Sequence, residues 1–411
     1  MRYFCYVKIL FVANRMPYPP YRGDKLKIYN LATELSTNHE LHLITIAENQ
    51  EDIASVELLL NPPAHFLKSP QQRLFHSITW EYRPKWKSAL SAAWGLLTQR
   101  PVQVAFFRSK RFAKRLDDLL KQHQFDAIHV QHLRMSQYFE NGVPPNAILD
   151  LPDAFSLYWK RRMDAAQTPL DQWFRKLEFR RLLAYEKKML PQFNLSLVCS
   201  SEDQSYLQEQ GINNVKVLPN GVNIASFSPK GAEAIVRNRI LFTGNMDYAP
   251  NVDAVQYFVS HILPLVVEKH PQVEFIIAGQ RPLKSVLDLA SDRVKITGFI
   301  EDLSEEYAKA HVVVSPLRIG AGTQNKVLEA LAMNQAVVCS KVGFEGLGIP
   351  NGQGILMGED AISFANAVIA ILDSEELRNK MGLMGGNHVR QTFAWNAIAN
   401  QLLNYFNNQK S

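Results

Sequence analysis

The sequence predicts an α/β protein of two domains, each a parallel sheet with helices on both faces. Short β-rich runs alternate along the chain with amphipathic helical stretches, which is the pattern such sheets leave. The 411 residues exceed what a single hydrophobic core usually supports. The turn cluster Leu218-Pro-Asn-Gly-Val222 follows a strand and precedes a second alternating block. It sets the domain limits at 1–215 and 216–392.

In the first half, strands are expected at Lys8–Ala13, Leu41–Ile46, Ala127–Val130, Ala147–Leu149 and Leu195–Cys199. A helix from Asp24 to about Thr37 places Ile28, Leu31, Ala32 and Leu35 on one face. Residues 71–121 are less regular, rich in aromatic and basic residues, and expected to be helical. In the second half, strands are expected at Val215–Leu218, Arg239–Phe242, Val273–Ala278, Val294–Thr297, His311–Val314 and Ala336–Cys339. Helices at Val252–Lys269, Leu283–Ala290, Leu303–Lys309 and Gln324–Met333 fall between them. The tail from Ala361 reads as helical with a break near Gly382–Gly386, and its last helix starts near Phe393.

Composition narrows the class. Apolar content of 46% with 20% charged residues is that of a soluble globular protein. Cys5, Cys199 and Cys339 are odd in number, far apart and set in apolar runs. They read as reduced core residues of a cytosolic protein, without metal-ligand spacing. The N-terminal run is interrupted by Lys8 and lacks a small-residue cleavage site, so it reads as a first strand and not a signal peptide. No apolar run has the length of a membrane span. Residues 1–215 hold 28 Lys+Arg against 21 Asp+Glu, and residues 216–411 hold 17 against 18. The positive half suits an anionic lipid or polymer, or equally a solvated surface.

The chemistry concentrates in Ser315–Ala332. An apolar strand breaks at Ser315-Pro316, passes Gly320 and Gly322, and opens a helix near Thr323 or Gln324. Glycines admit a ligand close to the backbone, and the N–H groups of a first helical turn attract an anion. Arg318 and Lys326 add positive charge. Glu329 lies five residues past Gln324, roughly 7.5 Å along the axis. That is about the reach from a diphosphate to the ribose that carries it. The arrangement suits a nucleotide diphosphate bearing a transferable group.

Further motifs are Pro17–Asp24 (PYPPYRGD), Ser200–Asp203 (SSED), Val217–Asn223 (VLPNGVN), Phe242–Val252 (FTGNMDYAPNV) and Ile296–Phe299 (ITGF). In their order and spacing, with the Ser315–Ala332 block, the chain resembles the retaining GT-B glycosyltransferases called group 1 or family 4. Among these it looks similar to the sugar transferases of bacterial exopolysaccharide loci. The resemblance runs nearly end to end. It implies two Rossmann-like doubly wound domains facing across a cleft, with the acceptor on the N-terminal half and the donor on the C-terminal half. The final helix, about 393–411, is expected to pack back on the first domain. The implied reaction moves a hexose-type sugar from a nucleotide-diphosphate sugar to a glycan or lipid-linked acceptor, with retention. Neither a metal nor a separate cofactor is implied, because helix dipoles and basic side chains neutralise the diphosphate. The expected location is the cytoplasm, at the inner face of the membrane where the acceptor is lipid-linked, and no nucleic acid is expected as partner.

Two departures from the family pattern stand out. Ala321 occupies the place of the first of two glutamates eight positions apart, of which Glu329 is the second. The loop Gly244–Asn251 lacks the Arg and Lys common there, so Arg318 and Lys326 take over the phosphate role.

The candidate residues follow. Lys326 and Arg318 are assigned to the leaving diphosphate, Gly322, Thr323 and Gln324 to its backbone cradle, and Glu329 to the ribose. Gly244 and Asn245 open the loop beside them, and Gly298 and Phe299 follow a strand whose loop can hold the base. Gly23 and Asp24 open the first helix, where backbone N–H groups meet the phosphate or acceptor; Asp24 also reads as an N-cap. Asn220 shapes the hinge. A family histidine is replaced by Asp153, or Asp150, as the group that contacts the sugar or acceptor hydroxyl, with Asp153 alternatively an N-cap. A carboxylate held near a diphosphate should have a raised pKa. His132 lies beyond its strand and lines the cleft, whereas His129 reads as a core histidine. The segments Trp159–Arg162 and Trp173–Leu183 interleave aromatic and basic residues, as a membrane-facing surface or an internally packed helix would. A nucleotide-sugar epimerase and a degenerate partner subunit remain alternative readings.

Overall fold

A computed structural model describes residues 6–20, 23–63, 72–164, 168–231, 234–320 and 323–409. By its contacts the chain forms two units, Met1–Pro219 with Ile398–Ser411, and Asn220–Ala397. The first is built on seven strands: β1 (Lys8–Val12), β2 (Glu40–Ala47), β3 (Ser77–Tyr82), β4 (Ala127–Gln131), β5 (Ala147–Asp150), β6 (Leu195–Val198) and β7 (Val215–Val217). Their order is β3-β2-β1-β4-β5-β6-β7, all parallel, in registers such as Ile9 with Leu41 on one side and Ala127 on the other. The second unit has β8 (Arg239–Thr243), β9 (Glu274–Ala278), β10 (Val294–Gly298), β11 (Val312–Ser315), β12 (Val337–Cys339) and β13 (Leu356–Met357). These run parallel in the order β10-β9-β8-β11-β12-β13.

Each unit is therefore a Rossmann-like doubly wound sheet. Strand order reverses direction beside β1, between β2 and β4, and beside β8, between β9 and β11. Helices leave opposite faces at these points, so a crevice opens at the carboxyl ends of the strands. The strands are nearly continuous apolar runs because both faces are covered: Leu10, Val12, Ile44, Val130 and Leu149 pack in one core, Phe242, Phe275, Ile277, Val312 and Val314 in another.

Four expectations need correction. Val215–Val217 does not open the second half; it pairs with β6 as the last strand of the first sheet. The limit at 215 accordingly moves to Pro219, inside the turn cluster. Residues 71–121 are not all helical, since β3 lies within them. As an edge strand with only β2 beside it, β3 is mostly half-buried and lacks an apolar run. Lastly, the helix Glu375–Thr392 runs unbroken through Gly382, Gly385 and Gly386. A Cβ on Gly382 would stand 1.9 Å from the Asn334 carbonyl oxygen, so these glycines give close packing instead of a break. The break falls earlier, at Ser374, which caps the helix through the Leu377 N–H.

The closing helix Trp395–Asn407 joins the first unit from Ile398 onward. There Gln401 Nε2 and the Tyr405 hydroxyl donate to the Val217 carbonyl at 3.0 and 2.9 Å. Cys199 and Cys339 are buried thiols in no disulfide, and Cys5 lies outside the described residues.

A buried charge ties the first sheet together. Lys27, on the helix Gly23–Leu35, sends its ammonium to Asp150 Oδ1 (2.7 Å), the Leu218 carbonyl (2.9 Å) and Cys199 Sγ (3.7 Å). The other Asp150 oxygen meets His129 Nε2 at 2.9 Å. Burial opposes the Lys27 charge, yet Asp150 and Cys199 hold its pKa above the ordinary lysine value. Asp150, for its part, is held below the usual carboxylate range against its own burial. Lys27→Met should cost about 3–5 kcal/mol by stranding the Asp150 charge. The double variant Lys27→Met/Asp150→Leu should recover much of that loss, both read from urea-denaturation midpoints.

Candidate functional site

The crevice of the second unit is built where β8 and β11 end. Beyond β8, Gly244 (φ 151°) donates its N–H to the Ala278 carbonyl at 3.0 Å. Beyond β9, Gly279 (φ 155°) comes so close that a Cβ would stand 1.7 Å from the Gly244 carbonyl oxygen. Two glycines are thus required for the strand ends to meet. The Gly279 N–H continues to the Gly298 carbonyl at 3.0 Å, and Phe299 next to it is largely exposed. Asn245 anchors the loop, its side-chain oxygen accepting from Gln280 Nε2 at 3.0 Å and its carbonyl from Asn251 Nδ2 at 3.0 Å.

Into this loop points Lys326, on the helix Asn325–Ala332. Its ammonium donates to Asn251 Oδ1 at 2.5 Å and sits 4.3 Å from the centroid of the Phe242 ring. One turn on, Glu329 accepts from the Tyr307 hydroxyl at 2.8 Å. That hydroxyl is 2.6 Å from Thr243 Oγ1. With a single proton to give, Tyr307 donates to Glu329 and accepts from Thr243. Burial drives the Lys326 pKa down to about 7, only partly opposed by the charge of Glu329. Burial likewise drives Glu329 up to about 7, only partly opposed by Tyr307 and Lys326. A lysine and a carboxyl that both titrate near neutrality, at the switch point of a parallel sheet, mark a ligand site.

Arg318 stands apart from that pair. It forms a two-pronged ion pair with Asp253, Nε to Oδ2 at 3.0 Å and Nη2 to Oδ1, and its guanidinium lies 4.5 Å from the Tyr257 ring centroid. Arg318 and Tyr257 border a hollow of about 240 Å³ shared with Pro316, Ser340, Lys341 and Asp360. Asn220 donates to Asn325 Oδ1 at 3.2 Å, fastening the start of the unit to the helix. Thr323 is buried and Gln324 precedes the helix without capping it by its side chain. Gly322 and Ala321 lie outside the described residues.

The first unit gathers the remaining candidates at the carboxyl ends of β4 and β5. His132 (φ 81°) takes the Asp150 carbonyl on its N–H at 2.7 Å, and its ring lies 4.5 Å from that of Phe155. Burial, then Arg134 and Arg15, push its pKa well below the ordinary value, so the imidazole is neutral. Asp153 is half-buried. Its pKa is raised well above the usual range by burial and then by the neighbouring carboxylate of Asp203, while Arg161 and Lys27 oppose the shift. Asp203 itself accepts from the Ala154 N–H at 3.1 Å and from Ser200 Oγ at 2.6 Å. Asp150, the other candidate for that role, is consumed by Lys27 and His129. Gly23 is exposed at the start of its helix, and the Asp24 backbone follows it. Among the described residues no cluster of three or more His, Cys, Asp or Glu can hold a metal ion.

Residues 237–374 match the family model described as glycosyl transferases, group 1. A Klebsiella pneumoniae relative, described as an uncharacterized 44.6 kDa protein in the cps region, is 23% identical over 88% of this chain and 90% of its own. Among solved structures, sucrose-phosphate synthase from Thermosynechococcus elongatus superimposes with a TM-score of 0.71 at 17% identity, covering 98% of both chains. Anabaena Alr3699/HepE in complex with UDP and glucose gives 0.66 at 14% identity, covering 98% of this chain and 100% of that one. The fold is GT-B.

Sequence reasoning passed over Tyr307, Asn251 and Asp253. Tyr307 reads as an ordinary helical residue until the sheet brings its helix beside β8. Asn251 was visible only as the end of the FTGNMDYAPNV motif, with no sign of the lysine it would face.

The Glu329 shift has a sign that can be checked. Its folded pKa near 7 exceeds the ordinary 4.5, so the folded chain binds the proton more tightly than the unfolded one. Ionisation therefore costs stability as pH rises from the ordinary value through about 7. Glu329→Gln should raise stability by ~2 kcal/mol at pH 8 and leave it unchanged near pH 4. Calorimetric melting at the two pH values decides it.

Proposed function

We propose that the protein transfers a sugar from a nucleotide-diphosphate sugar to a hydroxyl of a glycan or lipid-linked acceptor, with retained anomeric configuration, in bacterial polysaccharide synthesis. The observation that carries this reading is the buried Lys326 with the half-buried Glu329 one turn away, at the end of β8. An ammonium with its pKa near 7 gains most when negative charge arrives, and a departing diphosphate is such a charge. Glu329, aligned through Oε2 by Tyr307, offers its second oxygen to the ribose hydroxyls. Arg318 adds charge from the neighbouring hollow while tethered to Asp253. The positive end of the helix at Thr323–Gln324 supplements both.

On the acceptor side, the raised pKa of Asp153 favours its protonated form, which can donate a hydrogen bond to a sugar oxygen or shuttle a proton. His132, held neutral, offers a ring nitrogen without adding charge. The cps-region relative supports a polysaccharide pathway, and UDP and glucose in the Anabaena structure make UDP-sugars the first donors to try. An acceptor carried on lipid places the enzyme at the surface of a membrane. No divalent ion is required by this scheme, so turnover should survive EDTA.

A thermal-shift screen of nucleotide diphosphates and their sugars identifies the donor; no shift with any of them rejects the reading. Lys326→Ala should lower turnover about 10²–10³-fold at saturating donor while weakening donor binding far less. Undiminished turnover removes the leaving-group role. Glu329→Ala should weaken nucleotide binding roughly tenfold by calorimetry and leave a 2′,3′-dideoxy analogue unaffected.

A further inference from the structure

The helix Lys85–Leu96 of the first unit is built inside out. Its buried side is small and polar, Ser88 and Gly95, and Gly95 packs so tightly that a Cβ would stand 2.6 Å from that of Ala105. On the opposite side Trp86, Leu90, Trp94 and Leu97 recur at intervals of four, four and three residues. That spacing confines them to one face about 16 Å long. They face solvent: 61%, 64%, 59% and 84% of their surfaces are exposed. Amphipathic helices of globular domains turn such a stripe to the core; this one turns it away.

The surroundings say what covers it. From Arg83 to Leu116 the sequence holds nine Lys and Arg and no Asp or Glu. Arg83 is buried and Arg100 is paired with Glu140, which leaves Lys85, Lys87 and Arg108 as the cations beside the stripe. Lys85 and Lys87 flank the stripe, with the Lys87 ammonium 5.3 Å from the Trp86 ring and the Arg108 guanidinium 6.0 Å from that of Trp94. Tryptophan, leucine and cations on one exposed helical face match the boundary of an anionic bilayer, where rings and chains enter the acyl edge and cations meet phosphate. A nucleic acid or acidic glycan would use the charge and leave the leucines wet.

The interleaved segments, which suit either a membrane-facing surface or an internally packed helix, expose a shorter apolar patch, Leu170 and Trp173. Trp159 is buried, its ring edge-on to Phe174 at 6.2 Å, and the helix Pro169–Met189 buries Glu178, Leu182, Tyr185 and Met189. Arg181 of that helix instead ties down the exposed one, donating to the Gly95 and Leu96 carbonyls at 3.4 and 3.2 Å.

We infer that the face Trp86–Leu90–Trp94–Leu97 docks this protein on an anionic lipid surface. The inference rests on the membrane-surface part of the proposed function and is independent of the donor assignment.

The test is co-sedimentation of the full chain with vesicles of phosphatidylglycerol and phosphatidylcholine in equal parts, and with pure phosphatidylcholine. The wild type should pellet with the anionic vesicles and weaken in high salt. Trp86→Ser/Leu90→Ser/Trp94→Ser should lower that binding roughly tenfold or more, with melting temperature and nucleotide binding unchanged. Lys85→Glu/Lys87→Glu should abolish the preference for anionic over neutral vesicles. Wild type that stays in solution with both vesicles overturns the membrane reading itself. Equal vesicle binding by the triple variant overturns the assignment of this face. A wild-type dimer that becomes monomeric in the triple variant, with lipid binding intact, gives the face to a second copy and overturns it equally.

Discussion

A parallel sheet imposes one constraint on everything near its carboxyl edge. Its strands end together, their last carbonyls unpaired, and the loops that follow must leave for one face or the other. At β8 and β11 they leave for opposite faces. The gap between is roofed by the helix Asn325–Ala332, which brings two ionisable side chains one turn apart into a space with little water. Each is only partly compensated by the other's charge. The cost of holding them there is sustained by Tyr307 and Asn251, which supply one hydrogen bond each and no countercharge. The loop Gly244–Asn251, the close approach of Gly279 and the alignment of Tyr307 all serve that arrangement.

Two buried lysines show why this matters. Among the described residues Lys27 and Lys326 are both buried, with their ammonium groups near strand ends. Asp150 lies 2.7 Å from Lys27, whose pKa rises. Lys326 has a neutral amide as its hydrogen-bond partner, and its pKa falls to about 7. A charge compensated from within is architecture: Lys27 locks one helix to the ends of β5, β6 and β7. A charge left uncompensated awaits an anion from outside. Asp153 and Glu329 show the mirror case, since carboxyls short of compensation are harder to ionise.

Much of this was legible in the sequence because its signals are local. Alternating apolar runs located most strands of both sheets, and Gly320, Lys326 and Glu329 announced themselves within one strand–loop–helix block. What stayed hidden depends on partners distant in the chain. Lys326 and Asn251 are 75 residues apart, and Tyr307 and Thr243 are 64 apart. Only the placement of β11 beside β8 joins them. The edge strand β3 escaped because half its surface is wet, which erases the apolar run. Gly382–Gly386 misled for a related reason: a glycine that opens a helix and one that lets two backbones touch look identical in a sequence.

The stripe from Trp86 to Leu97 extends the point from positions to directions. Its helical period can be read from the letters, and the same letters would serve a core helix. What settles the orientation is the other face, where Ser88 and Gly95 leave room only for a close backbone approach. A helix with bulky residues on one side and none on the other can lie flat against its own domain only by its small side. The large side must then meet something else, and the cations Lys85, Lys87 and Arg108 beside it select an anionic surface over an apolar protein partner. The same reasoning explains why the Trp159–Met189 region, equally aromatic and basic, does not qualify: its carboxylates Glu178 and Glu186 are buried. Glu178 accepts the backbone N–H groups of Val102 and Gln103, and Glu186 that of Ser156, which binds that helix inward.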